Sequence, residues 1–209
     1  MAVLLERMVG ILGNEKPKHL PIADQLLRES ILLGYLGIVD RINHIKSEPL
    51  RNAIELYLSE HALLVDYFTW VPESLYNIRI NGYTPQGPSA STRDQLIHII
   101  ENTTQRLGGF ETGEYTYKST QLPLRLLDKS DLLAILVYTN DRLVELALGN
   151  ARQTITTPRG IMTPADFVVD MIPHQYYHQG LHLAGPIDYL GLPWPPTYAR
   201  WGLVVKPSS

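Results

Sequence analysis

The spacing of apolar residues between Glu48 and Trp70 constrains the fold of this chain more than any other feature. Apolar positions recur there at intervals of three and four, with one histidine among them: Ile54, Tyr57, Leu58, His61, Leu64, Val65 and Phe68. Side chains at this spacing share one face of an α-helix. The stretch therefore predicts a long amphipathic helix, whose apolar face must be covered by other elements of the fold.

Two later segments also have helical spacing and recognisable ends. One begins at Thr92, where a threonine cap with Gln95 three residues later matches a capping box, and its expected end is Gly108-Gly109. The other spans about residues 130 to 148 and is closed by Gly149-Asn150. Both segments predict helices of a length that suits packing against the first one.

A last long helix is expected to begin at Thr163-Pro164, with threonine as the cap and proline in the first turn. Residues 151–162 are expected to be a loop. Four substantial helices without a convincing set of strands predict an all-α fold, an up-down four-helix bundle. Residues 1–48 form a predicted N-terminal helical extension, packed outside the bundle or against a partner chain. Residues 49–209 form the predicted bundle domain with a C-terminal tail.

Composition narrows the functional classes. The chain of 209 residues has no cysteine, which excludes disulfides, thiolate metal sites and a cysteine nucleophile. Its net charge is −3 and it has no basic run, so we expect no nucleic-acid partner. Glu6 and Arg7 interrupt the N-terminal apolar run, and no other run approaches ~20 apolar residues. We therefore expect a cytoplasmic protein that does not enter a membrane.

Known catalytic motifs narrow the field further. The sequence contains no HExxH zinc-protease motif, no ExxH pair for a di-iron bundle, no GxxxxGK[ST] phosphate loop and no GxSxG serine elbow.

Three of the seven histidines lie four residues apart in the stretch "DMIPHQYYHQGLHLAG": His174, His178 and His182. Imidazoles at positions i and i+4 of a helix have Cβ atoms ~5–6 Å apart, and a metal binds each nitrogen at ~2.1 Å. His174 and His178 can therefore share one ion. His182 is rotated by ~80° from His174 on the helix, so we expect it to line a pocket or lie at a subunit contact.

Two neighbours of His174 bear on this site. Asp170 lies one turn before it and can either orient the imidazole as a hydrogen-bond acceptor or form an ion pair on a solvated face. Pro173 predicts a kink or local unwinding near Val169, which would turn His174 toward the bundle axis.

The motif "HQYYHQG" late in the last helix resembles the DinB/YfiT-like superfamily, whose members are metal-dependent four-helix-bundle enzymes. The resemblance covers about residues 49 to 190. It implies that His174 and His178 bind a metal together with His98, which follows the stretch "VPESLYNIRINGYTPQGPSASTRDQLI". Leu181 departs from the family motif, which usually has glutamine three residues after its last histidine. The departure removes a polar neighbour from the site.

The residues themselves leave two candidates for the third ligand. His98 lies among polar residues on its helix, so periodicity alone predicts that it is exposed to solvent. His61 lies in the middle of an apolar face and is the rival ligand, although a lone histidine there is more often a core residue.

Three neutral imidazoles leave at least one coordination position open, which is the arrangement of catalytic rather than structural sites. The resemblance implies an enzyme that activates a thiol or water, such as a bacillithiol S-transferase, a thiol-dependent isomerase or a hydrolase. The expected cofactor is a divalent transition metal, zinc or nickel, and a low-molecular-weight thiol is the candidate cosubstrate, because the chain has no cysteine of its own. Candidate catalytic side chains are His182, Tyr177 and Glu101.

The expected partners are a small-molecule substrate and a second copy of the chain in a homodimer. The alternative function is a non-catalytic, stress-related helical module for binding or dimerisation. Leu181, the exposed position predicted for His98 and the aromatic-rich tail "YLGLPWPPTYARWGL" favour this alternative.

Overall fold

A computed structural model describes residues 37–38, 40–71, 73–79, 90–113, 123–150, 154–157 and 159–178. These residues are mostly helical, which agrees with the predicted all-α class. In chain order the elements are helix α1 (Glu48–Trp70), helix α2 (Glu73–Tyr76), helix α3 (Thr92–Thr112), a 3-10 turn (Leu124–Leu126), helix α4 (Lys129–Glu145), a π-helical turn (Leu146–Asn150), strand β1 (Ile155–Thr157), strand β2 (Gly160–Met162) and helix α5 (Pro164–Tyr177).

Helix α1 has the bounds that the apolar spacing predicts, and every position of the predicted face is buried. Burial extends further than one face, because Ser59, Glu60 and Ala62 are also almost inaccessible to solvent. Helix α1 packs against both α5 and α4, which explains why its middle turns are covered on more than one side.

Helix α3 begins at Thr92 as predicted, but its cap is Ser91, one residue before the predicted cap Thr92. Ser91 is the cap: its side chain accepts a hydrogen bond from the Asp94 amide at 3.1 Å, and the Asp94 carboxylate accepts one from the Ser91 amide at 3.0 Å. Serine is as good a cap as threonine, and aspartate completes the reciprocal box from this register. Gln95 therefore takes no part in capping.

The end of helix α3 also differs from the prediction. The helix continues through Gly108-Gly109 to Thr112, and it is Gly113 that adopts the left-handed conformation (φ 85°) that closes it. Glycine is tolerated inside a helix at a modest cost, so glycine alone does not fix a helix end.

Helix α4 ends at Glu145, before the predicted end near residue 148, and a π-helical turn continues to Asn150, where Gly149 has the positive φ of 94° that closes it. The predicted loop over residues 151–162 is wrong in part, because β1 and β2 form a short antiparallel hairpin that pairs Ile155 with Met162. The Thr157 hydroxyl accepts a hydrogen bond from the Arg159 amide at 3.1 Å and donates one to the Gly160 carbonyl at 2.9 Å. Two β-branched threonines beside an isoleucine favour this extended conformation.

Helix α5 begins as predicted. Thr163 and Asp166 form a complete capping box, and Pro164 occupies the first turn. The helix is continuous across Val169 and Pro173, so the local unwinding predicted near Val169 is absent.

Polar contacts join the helices at their ends. The buried ammonium of Lys129, at the start of α4, donates hydrogen bonds to the carbonyl oxygens of Thr69 (3.1 Å) and Val71 (2.8 Å) at the end of α1. The negative end of the α1 dipole favours a cation at this place.

The last residues of the predicted N-terminal extension contribute to the same core as the helices. Ile38, Ile42 and Ile45 are buried, and Arg41 forms ion pairs with two acidic residues of α4, Asp141 and Glu145. The division of the chain at residue 48 stays a prediction.

Several predicted features lie outside the described residues: most of the N-terminal extension, Leu181, His182 and the tail at residues 189–203. Within the ranges given above, no helix has the length and apolar character needed to cross a bilayer.

Candidate metal centre

Helices α3 and α5 bring three histidines together. The Nε2 atom of His174 lies 3.4 Å from Nε2 of His98 and 3.1 Å from Nε2 of His178. One nitrogen from each ring lies within 4.8 Å of the others, so the three rings could hold one metal ion. His98 comes from α3. His174 lies in the last turn of α5, and His178 is the residue that follows this helix, four positions later.

The distances between these nitrogens suit a shared ion. A metal that binds nitrogen at ~2.1 Å places two ligand atoms ~3.0 Å apart at a right angle and ~3.4 Å apart at a tetrahedral angle. The two measured separations fall within this range. Three imidazoles form a nitrogen donor set that suits zinc, nickel, copper or iron.

The His178 ring has a partner on the side away from the other histidines. Its Nδ1 lies 2.7 Å from the side-chain oxygen of Gln95, and both residues are buried. An amide oxygen only accepts hydrogen bonds, so a hydrogen bond at this distance requires the form of His178 that is protonated at Nδ1. In that form the Nε2 atom, which faces His174, is unprotonated.

His174 is half-buried, and burial lowers its pKa to about 4, with smaller contributions from His98 and the Arg106 guanidinium. The ring is therefore neutral at neutral pH and has a lone pair available for a metal. Among the residues that the structure describes, its Nδ1 atom has no hydrogen-bond partner.

Asp170 does not orient His174. Its carboxylate pairs with Arg106 of α3, whose side chain is 12% exposed, and Arg159 lies 3.6 Å away on the other carboxylate oxygen. Of the two roles considered for Asp170, ion pairing is the one that the contacts support. The pair joins α3 to α5, with Asp170 one turn from His174 on α5 and Arg106 two turns from His98 on α3.

The rival ligand His61 lies in a different place. It is completely buried, and its Nδ1 accepts a hydrogen bond of 2.8 Å from the Asn140 amide group. Burial lowers the pKa of His61 to about 3, so it is neutral and belongs to the core. It is not part of the histidine group described above.

The candidate catalytic side chains have unequal support. Tyr177 is half exposed, and its ring meets the His178 ring edge-on with the centroids 5.7 Å apart. Glu101 is partly buried on α3, three residues after His98 and so on a neighbouring part of the helix surface. His182 lies outside the described residues.

Sequence reasoning missed Gln95 and Arg106 as neighbours of the site. Gln95 lies three residues before His98, which places it on the same side of α3. The spacing could have identified it, but the capping box assigned it another role.

Comparison of this chain with protein-family models, with curated proteins and with solved structures finds no match. The resemblance to the DinB/YfiT-like superfamily therefore stays a prediction from the quoted motifs.

Proposed function

We propose that this protein is a metal-dependent enzyme in which His98, His174 and His178 hold a divalent transition metal. The observation that carries the proposal is the convergence of three Nε2 atoms, separated by 3.1 and 3.4 Å along two of the three sides. The close approach of one nitrogen from each of three imidazole rings on two helices is the arrangement that a shared metal ion requires.

The ligand set points to catalysis rather than to structural metal binding. Structural zinc sites are closed by four protein ligands, whereas three histidines leave a position for substrate or solvent. A divalent ion in such a site lowers the pKa of a bound thiol or water and so supplies a nucleophile at neutral pH. The exposure of His98 gives the site a side that faces solvent, where a small substrate can approach.

The proposed reaction is the transfer of a group from the substrate to a small thiol, or a thiol-dependent isomerisation of the substrate. Hydrolysis is the variant in which water takes the place of the thiol. The chain has no cysteine, so the thiol is a cosubstrate. We further propose the up-down four-helix bundle, formed by α1, α3, α4 and α5, and a cytoplasmic homodimer as the setting of this reaction. Two observations support the bundle: α1 packs against α4 and α5, and α3 packs against α4.

Metal content tests the ligand set. The full chain is purified without a histidine tag, and its zinc and nickel are measured by elemental analysis. We expect one ion per chain in the unmodified protein and less than a tenth of that in His98→Ala and His174→Ala. His44→Ala removes an exposed histidine outside the site and serves as the matched control, which should keep its metal.

Activity tests the class of reaction. The metal-loaded protein is incubated with an electrophile and a panel of small thiols, and loss of the electrophile is followed. Turnover that depends on His98 and His174 supports the enzyme. Stoichiometric metal without turnover with any thiol or with water would instead favour the non-catalytic binding module.

A further inference from the structure

The hydrogen bond between Gln95 and His178 determines which nitrogen of this histidine can bind a metal. A neutral imidazole carries its proton on one nitrogen and offers a lone pair on the other. With the Gln95 oxygen 2.7 Å from Nδ1, the proton is held at Nδ1 and the lone pair at Nε2. The Nε2 atom is the one that lies 3.1 Å from His174.

The contact is built into the interior of the protein. Gln95 is 5% exposed and His178 is 3% exposed, so water competes little for either group. A buried amide oxygen without a donor would be costly, and His178 supplies a donor at 2.7 Å. The arrangement also fixes the ring plane, since Nδ1 is joined to α3 while Nε2 faces the other two histidines.

We propose that Gln95 is a positioning residue, which holds His178 in the Nδ1-protonated form and so presents its Nε2 atom to the metal. The effect of Gln95 on metal binding rests on the proposed function. Its effect on the protonation of His178 concerns the metal-free protein and can be tested without any metal. Residues that orient a ligating histidine typically change metal affinity by 10- to 100-fold when they are removed.

The tautomer of His178 is measured in the metal-free full chain at neutral pH by long-range proton–nitrogen NMR on protein labelled with ¹⁵N-histidine. Protonated and unprotonated ring nitrogens have well-separated shifts. We expect His178 to be protonated at Nδ1 alone. In Gln95→Leu, which has no acceptor, we expect a mixture of both forms. A His178 protonated at Nε2 in the unmodified protein, or a tautomer that Gln95→Leu leaves unchanged, would overturn the proposal.

Metal affinity is then measured by competition with a chromophoric chelator for zinc and for nickel. We expect Gln95→Leu to weaken binding 10- to 100-fold, whereas Gln95→Glu, which keeps an acceptor oxygen at this place, should bind within a few-fold of the unmodified protein. Thr103→Val is the matched control, since it also replaces a buried polar side chain of α3, and it should leave the affinity unchanged.

The two ways of failing are distinct. If the unmodified protein binds neither metal, the proposed function fails, while the NMR result still decides what Gln95 does to His178. If the unmodified protein binds metal and Gln95→Leu binds it equally well, the metal site stands and the positioning role of Gln95 is refuted.

Discussion

At the scale of single residues, the three histidines of the site differ in how deeply they are buried. His98 is exposed, His174 is half-buried and His178 is buried against Gln95. Removing an exposed side chain rarely changes stability much, whereas removing a buried hydrogen-bonded one leaves its partner unsatisfied. Removing each of the three histidines should therefore affect the stability of the metal-free protein to a different extent.

This difference predicts the outcome of a pair of substitutions. His98→Ala should change the free energy of unfolding of the metal-free protein by less than about 0.5 kcal/mol. His178→Ala should lower it by about 1–3 kcal/mol, because the Gln95 oxygen loses its donor. Urea unfolding in the presence of a chelator measures both values. Equal losses of stability would contradict the assigned burial of these two residues.

A second prediction concerns His61 and acid. Burial holds its pKa at about 3 in the folded protein, below the ordinary value of 6.5. Between these values the unfolded chain binds the proton and the folded protein does not, so stability is complete above pH 6.5 and falls as the pH is lowered. The loss is ~1.4 kcal/mol per pH unit, or about 2 kcal/mol by pH 5.

The measurement compares urea unfolding at pH 7.5 and pH 5 in the unmodified protein and in His61→Gln. Between pH 7.5 and pH 5 the unmodified protein should lose about 2 kcal/mol more of its free energy of unfolding than His61→Gln does. His44→Gln removes an exposed histidine and should follow the unmodified protein at both pH values. Parallel curves for His61→Gln would show that His61 is protonated in the folded state.

At the scale of elements, the ends of helix α3 show what spacing and residue type can and cannot predict. Ser91 and Thr92 are both suitable caps, and the structure places Ser91 at the cap, in a reciprocal box with Asp94. That single-residue difference frees Gln95 to contact His178. At the other end, Gly108-Gly109 and Gly113 are equivalent by residue type, and the backbone angle of Gly113 decides where the helix stops.

The glycines of α3 give a matched pair of substitutions. Gly108 lies inside the helix, and a methyl group added there would meet no atom within 4 Å, so Gly108→Ala should raise the free energy of unfolding by about 0.5–1 kcal/mol. Gly113 has a φ of 85°, which a side chain disfavours, so Gly113→Ala should lower the free energy of unfolding by about 1–2 kcal/mol. Thermal or urea unfolding measures both. A loss of stability in Gly108→Ala would place the end of the helix at Gly108-Gly109 after all.

At the scale of the whole molecule, polar contacts join α3 to α5 around the histidines: His98 with His174, Gln95 with His178, and Arg106 with Asp170. The predicted helices and the HxxxH pair could be derived from the sequence because 3.6-residue periodicity is a local property. Contacts between α3 and α5 depend on how the helices are rotated against each other, which local spacing does not determine. His98 shows the consequence, since periodicity correctly predicts its exposure but does not reveal that it meets His174.

A metal bound between α3 and α5 would act as a cross-link of the folded protein, because its ligands converge only when both helices are in place. An ion that binds the native state alone stabilises it by about 2.7 kcal/mol at 100 times its Kd. For a domain of this size the increase corresponds to a rise in Tm of roughly 5–10 °C. Zinc or nickel should therefore raise the Tm of the unmodified protein and leave that of His174→Ala unchanged.

The pH dependence of this increase tests His174 as a ligand. A histidine must lose its proton to bind a metal, so protons and metal compete for the site. The pKa of His174 is lowered to about 4, so at a fixed metal concentration the rise in Tm should be larger at pH 7 than near pH 4, and His44→Ala should respond as the unmodified protein does. An equal rise in His174→Ala at either pH would mean that the ion binds elsewhere in the chain, and α3 and α5 would then be joined by their polar side chains alone.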